Sequence, residues 1–200
     1  MNSIEELPAP NGKCEICEFG QDPIWGIKGE GEPNVLIILQ SSDFRALQHP
    51  NGYTGAFLDS LTGRDIHKII GEDWRNIAVV NCVKCHFKEQ EEWRDPKTEE
   101  YRDCRENLKD QIEQLNPSFV LCCGTWATKA VFGENNYKEV KAKRDSVRYK
   151  ETDDTIFAIA THPRQFTCPV KAELKDMIDR FRVEEKEEKS TQIAELAFEI

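Results

Sequence analysis

The stretch Ile77-Ala78-Val79-Val80-Asn81-Cys82-Val83-Lys84-Cys85 decides the fold. A run of β-branched and small apolar residues that ends in a polar pair predicts a buried parallel strand. In open α/β sheets, sites form at the carboxyl ends of such strands, so Asn81 and Cys85 fall where chemistry is expected. Cys85 also has candidate metal-binding partners elsewhere in the chain, namely Cys14, Cys17 and Cys104.

Working outward, Val35 to Leu39 predicts a second buried strand, and Gln40-Ser41-Ser42-Asp43 is the polar loop at its carboxyl end and the second wall of a site. Phe119 to Cys123 and Thr155 to Thr161 predict two more strands, the last ending at His162-Pro163-Arg164-Gln165-Phe166. Between them lie helical patterns. The turn-rich loop His49 to Gly55 leads into a helix with Phe57, Leu58 and Leu61 on one face, and Ile66, Ile69 and Ile70 continue the spacing. From Pro96, the residues Tyr101, Cys104, Leu108, Ile112 and Leu115 recur three or four apart, with Asn116-Pro117 as the stop. Gly124-Thr125 opens a helix carrying Trp126, Ala127, Ala130 and Val131, and another runs from Pro169 to Arg182. Strands alternating with helices predict the α/β class. The expected architecture is a single-domain three-layer αβα sandwich around a four-stranded parallel sheet. It spans residues 1–182, including an N-terminal segment with the Cys14-x2-Cys17 knuckle, and is followed by an acidic tail, 183–200. In that tail Ile193, Leu196, Ala197 and Ile200 form a short amphipathic stripe expected to dock on the domain itself.

The totals narrow the function. At 200 residues, 38% hydrophobic and 32% charged, the chain suits one soluble domain. Apolar runs of five residues exclude a membrane-spanning helix. The first residues, Met1 to Pro8, lack the pattern of a secretory signal, so a cytoplasmic monomer is expected. A net charge of −10 argues against a general nucleic-acid coat protein. Locally the sign reverses, because Lys138, Lys141, Lys143, Arg144, Arg148 and Lys150 stand against only Glu139 and Asp145.

Eight cysteines in an intracellular chain of this size point to metal binding or catalysis. Two sets compete. Cys14, Cys17, Cys82 and Cys85 form two C-x2-C knuckles suited to tetrahedral structural zinc. Cys14, Cys17, Cys85 and Cys104 supply the four thiolates of a [4Fe-4S] cluster. Strand geometry favours the second, since residues an odd number apart face opposite sides and Cys82 would diverge from Cys85. Cys122, Cys123 and Cys168 read as small buried hydrophobes.

In order along the chain stand Cys14-x2-Cys17, Gly29-Glu30-Gly31, Gly52-x2-Gly55, Asn81-x-Val83-Lys84-Cys85, Cys104, Gln111-Ile112-x2-Leu115-x-Pro117, Gly124 with Ala127, and His162-Pro163. Over residues 12 to 182 this order resembles the uracil-DNA glycosylase superfamily, nearest its iron-sulfur family 4 branch. The resemblance implies the second cysteine set and a structural [4Fe-4S] cluster. It also implies DNA as partner and hydrolysis of the N-glycosidic bond of a deaminated base. In family terms Asn81 reads the uracil edge, His162 donates to the base oxygen as charge develops there, and Arg164, Gln165 or Phe166 fills the gap left by the flipped base.

The departures are equally specific. Where family 4 carries a Gly-Glu pair, this chain reads Leu39-Gln40-Ser41-Ser42-Asp43, so the carboxylate that positions water is replaced. Gln40 resembles the glutamine of the family 1 enzymes, and Asp43 is the nearest acid. The phenylalanine that stacks on uracil falls at Pro50, leaving Phe44 or Tyr53 to substitute. Two other functions therefore stand beside the glycosylase: a cluster-bearing module of the same fold that binds nucleic acid or protein without turnover, and an unrelated zinc protein.

Overall fold

The structure, a computed structural model, describes residues 3–9, 23–41, 48–89, 92–152 and 154–183. Cys14, Cys17, Ser42, Asp43, Phe44 and residues 184–200 of the acidic tail lie outside the described residues. In chain order the elements are β1 (Glu5–Glu6), β2 (Ile27–Lys28), β3 (Val35–Ser41), α1 (Gly52–Asp59), α2 (Leu61–Ile70) and β4 (Ile77–Val83). There follow β5 (Phe87–Glu89), β6 (Glu92–Arg94), α3 (Thr98–Asp103), α4 (Arg105–Leu115), β7 (Phe119–Cys123), α5 (Gly124–Val140), β8 (Arg148–Glu151), β9 (Ile156–Ala160) and α6 (Cys168–Val183).

The main sheet has seven strands in the order β1-β2-β4-β3-β7-β9-β8. Its centre, β4-β3-β7-β9, is parallel and is the four-stranded sheet expected from the apolar runs. The expected count is corrected at the edges, where β1 and β2 on one side and β8 on the other pair antiparallel. These strands leave little trace in sequence. β1 and β2 are two residues each, and β8 falls in the basic stretch, alternating between half-buried and exposed as an edge strand does.

Every residue of β4 is buried, which explains its unbroken apolar run: both faces of the parallel centre are covered. Side chains alternate across the sheet. Val35, Ile37, Leu39, Ile77, Val79, Phe119, Leu121, Ala158 and Ala160 share one core with residues of α1, α2 and α6. Leu36, Ile38, Ala78, Val80, Cys82, Val120, Cys122, Phe157 and Ile159 share the other with α3, α4 and α5. The result is the three-layer αβα arrangement.

The structure corrects two local expectations and adds a helix break. The helix expected from Pro96 is two helices, α3 and α4, which meet at Cys104. The helix before it is interrupted at Ser60, whose hydroxyl accepts from Gly63 N at 2.8 Å and so starts α2 afresh. That restart turns Leu61 outward, 56% exposed, instead of onto the apolar face with Phe57. Finally, α5 breaks at Gly133, which takes a positive φ of 78° inside the helix.

Candidate functional site

The alternation that divides the core also assembles the site. Ser41 continues the series 35, 37, 39 along β3, Asn81 continues 77 and 79 along β4, and His162 continues 158 and 160 beyond β9. All three therefore reach the carboxyl end of the sheet on the face covered by α1, α2 and α6. Asn81 stands in register with Leu39. The connection after β3 leaves towards β4 and that after β7 towards β9, so a crevice opens at the strand ends. It is a cleft of about 430 Å³ whose lining includes Gln40, Ser41, Tyr53, Asn81, His162 and Arg164, all anticipated from the sequence. The α1–α2 corner closes it with Phe57, Asp59 and Leu61.

Asn81 is 1% exposed, and its Nδ2 donates to the Tyr53 hydroxyl at 2.9 Å. The amide keeps a second Nδ2 hydrogen and its Oδ1 for a ligand. Burial pushes the Tyr53 phenol up to about 12, with the Asn81 bond pulling the other way and Glu6 adding to the rise. Tyr53 is thus a neutral prop for Asn81, and its own backbone N donates to Glu6 Oε1 at 3.1 Å.

His162 opens the 3-10 turn Pro163–Gln165, and its Nδ1 accepts from Arg164 N at 3.3 Å. That bond assigns the ring proton of the neutral imidazole to Nε2. Burial first and the Arg164 charge second hold the His162 pKa below its ordinary value, with Asp65 opposing. Gly124, at φ 89°, lies behind it: a Cβ there would come 3.7 Å from His162 N. The strand-to-helix turn at the head of α5 takes a backbone conformation that favours glycine.

Not every expected residue meets the cleft in its expected role. Phe166 is 7% exposed and packs in the core with α6, so it is an anchor of the turn and not a wedge for DNA. Arg164 and Gln165 carry the exposed side of that turn. Gln40 has the opposite parity to Ser41: it lines the lip, but its side chain stands beside the Tyr101 hydroxyl on the other face. Sequence reading missed Asp59, the one acid among the described lining residues, which pairs with His49 Nε2 at 3.2 Å. Its place at the end of α1 gives no signal, because an acid there reads as a solvated helix end. Next to the cleft, Arg144, Thr161, Arg164 and Gln165 line a notch of about 350 Å³, in which the Thr161 hydroxyl is buried without a hydrogen-bond partner among the described residues.

Of the candidate metal ligands, Cys85 and Cys104 are both buried in the core beneath α3, α4 and α5. Cys82 belongs to the same core, but its Sγ donates to Gln40 O at 2.8 Å and burial raises its pKa, so it is held as a thiol. Among the described residues no three His, Cys, Asp or Glu side chains gather as a metal-binding group. Nor is any described helix long and apolar enough to cross a membrane.

A parallel α/β sheet with a buried amide and a half-buried imidazole on one cleft is joined here by a match over most of its length. Residues 28–182 match the family model of the uracil DNA glycosylase superfamily, and the chain belongs to that superfamily. It is similar to the Type-4 uracil-DNA glycosylase of Archaeoglobus fulgidus, at 23% identity over 134 residues. That match covers 66% of this chain and 65% of the relative, so the chain spans just under two thirds of the relative's length.

Proposed function

We propose that the protein is a DNA glycosylase that hydrolyses the N-glycosidic bond of uracil or a related deaminated base. The observation that supports this most is the convergence of Asn81 and His162 on one cleft at the carboxyl end of the sheet. A base inside a duplex cannot be reached, so the nucleotide is flipped out and its edge read in the pocket. Asn81 offers a donor and an acceptor to that edge, and Tyr53 fixes which is which. As the bond to the sugar breaks, its electron pair goes to the base. The His162 Nε2–H donates to the base oxygen where that charge collects, and one such donor is worth about 10²–10³ in rate. A water then adds to the sugar carbon, and the proton it loses passes through solvent to the departing base anion, which leaves as the neutral base. Ser41 orients this water but takes no proton from it, so turnover is slower than with a carboxylate, which contributes about 10²–10⁴. The two guanidinium groups of the adjoining notch suit backbone phosphates.

Cys14, Cys17, Cys85 and Cys104 would hold a [4Fe-4S] cluster, whose role would be structural, with no chemistry supplied to the bond cleavage. The burial of Cys85 and Cys104 in one core supports this, and the bond from Cys82 to Gln40 O argues against the zinc set. Gln40 at the position of a carboxylate favours a second reading, a module of this fold that binds DNA without turnover. The test is incubation with single- and double-stranded DNA containing uracil, hypoxanthine or xanthine, followed by alkaline cleavage at abasic sites. Product from at least one lesion supports the glycosylase. DNA binding with no product from any of them supports the module.

A further inference from the structure

Lys84 is 0% exposed and stands with Phe119 and Phe157 among the largest completely buried side chains of the described residues. Lysines are almost never fully buried unless paired, because the ammonium loses its hydration. Here Nζ donates to the backbone carbonyl of Asn81 and to Gln111 Oε1. Gln111 is anchored in turn, its Nε2 donating to Trp25 O at 2.7 Å.

The sheet explains why a cation is placed there. On its inner side β4 pairs with β3 along its length, but on its outer side β2 reaches only Ala78 and Val79. Beyond Val79 the chain from Ile24 to Gly26 runs beside that outer side without pairing as a strand: Ile24 N donates to Lys84 O at 2.7 Å, and the Asn81 carbonyl receives Lys84 Nζ. Lys84 folds back to donate to the Asn81 carbonyl, a contact that a neighbouring strand's N–H would otherwise make.

We propose that Lys84 is a positioning residue for Asn81: its buried ammonium, braced by Gln111, fixes the Asn81 peptide and so aims the amide into the cleft. This rests on the assignment of Asn81 to base recognition. The bond from Asn81 Nδ2 to Tyr53 holds one end of the residue, and the bond from Lys84 to the Asn81 carbonyl holds the other. Misplacement of a catalytic group by about 1 Å costs roughly 10²-fold in rate.

The test is a double-mutant cycle with a structural arm. Lys84→Met is expected to lower kcat roughly tenfold to a hundredfold on uracil DNA. In an Asn81→Ala background the same change is expected to cost less than about twofold, because the group it positions is gone. Gln111→Leu keeps the lysine and removes its brace. It is expected to lower kcat in the same direction with the same loss of effect in the Asn81→Ala background, and it decides the matter should Lys84→Met fail to fold. Iron content equal to that of the parent protein separates these effects from a damaged cluster. Crystal structures of the parent and of the folded variant are expected to show the 2.9 Å contact from Asn81 Nδ2 to Tyr53 opening. Full additivity with Asn81→Ala, or an unmoved Asn81 amide in the variant, overturns the proposal. Absence of turnover in the parent protein removes the reading of Asn81 as a base-recognition group, and the crystal structures then decide the role of Lys84 alone.

Discussion

Deleting a single oxygen, in Tyr53→Phe, tests how the amide is aimed. Asn81 and Tyr53 are 1% and 6% exposed, so water does not readily replace the 2.9 Å bond between them. A typical hydrogen bond contributes about 0.5–1.5 kcal/mol net, and an orphaned buried donor raises the cost to about 1–3 kcal/mol. In a chain of this size each kcal/mol lowers the melting temperature by roughly 2–4 °C. The rate follows the same bond. A freed amide can turn over, exchanging donor for acceptor on the edge it reads. At about 1.4 kcal/mol per tenfold, a loss of 1–2 kcal/mol lowers kcat/KM on uracil roughly fivefold to thirtyfold. Discrimination against cytosine, whose edge has donor and acceptor reversed, narrows in step. Because the phenol sits at about 12, no charge changes hands and the effect is the same throughout the neutral range. The assay is single-turnover cleavage of uracil and cytosine strands beside a thermal melt. An unchanged melt with an unchanged uracil rate refutes the reasoning.

Three further outcomes are expected. Arg164→Gln removes the cation that depresses His162, so the acid limb of the rate profile moves to higher pH, and an unmoved limb contradicts the assignment. The linkage has a definite sign: the folded pKa lies below the ordinary 6.5, so folded protein binds fewer protons in that window and stability falls as pH drops through it. The Arg164→Gln protein should lose less stability over the same pH interval in urea titrations. Phe166→Ala empties a core position and should cost about 3–5 kcal/mol in urea unfolding, whereas a wedge residue would lose base flipping with little change in stability. Anaerobically purified protein should be brown, with Cys104→Ala bleaching it and Cys82→Ala leaving the iron content intact; colourless protein carrying zinc and no iron would favour the zinc set.

The sequence made the four central strands legible because both of their faces are buried, which writes them as continuous apolar runs. Edge strands β1, β2 and β8 carry no such run. Asn81, His162, Tyr53, Ser41 and Arg164 were legible through their order in the chain. Alternation then explains their convergence, since Asn81 and His162 share a parity and Gln40 does not. Two residues mislead for opposite reasons. Phe166 sits in a loop motif that suggests exposure, yet an aromatic next to a turn fills the core under α6. Lys84 carries a charge that sequence alone places in solvent, and only the fold shows it turned inward onto the Asn81 carbonyl and Gln111. Leu61 had the right period for the core, but the Ser60 cap resets the helix one residue earlier.

The claim on which the account depends is that an amide and an imidazole on one sheet face act together on one extruded base. Its most direct test is single-turnover release of uracil from DNA by the parent protein and by the Asn81→Ala, His162→Ala and doubly substituted proteins. The account predicts measurable release by the parent, a fall of about 10²–10³ for His162→Ala, and a further or equal fall for the double variant. Release by the parent no faster than by the double variant would contradict it.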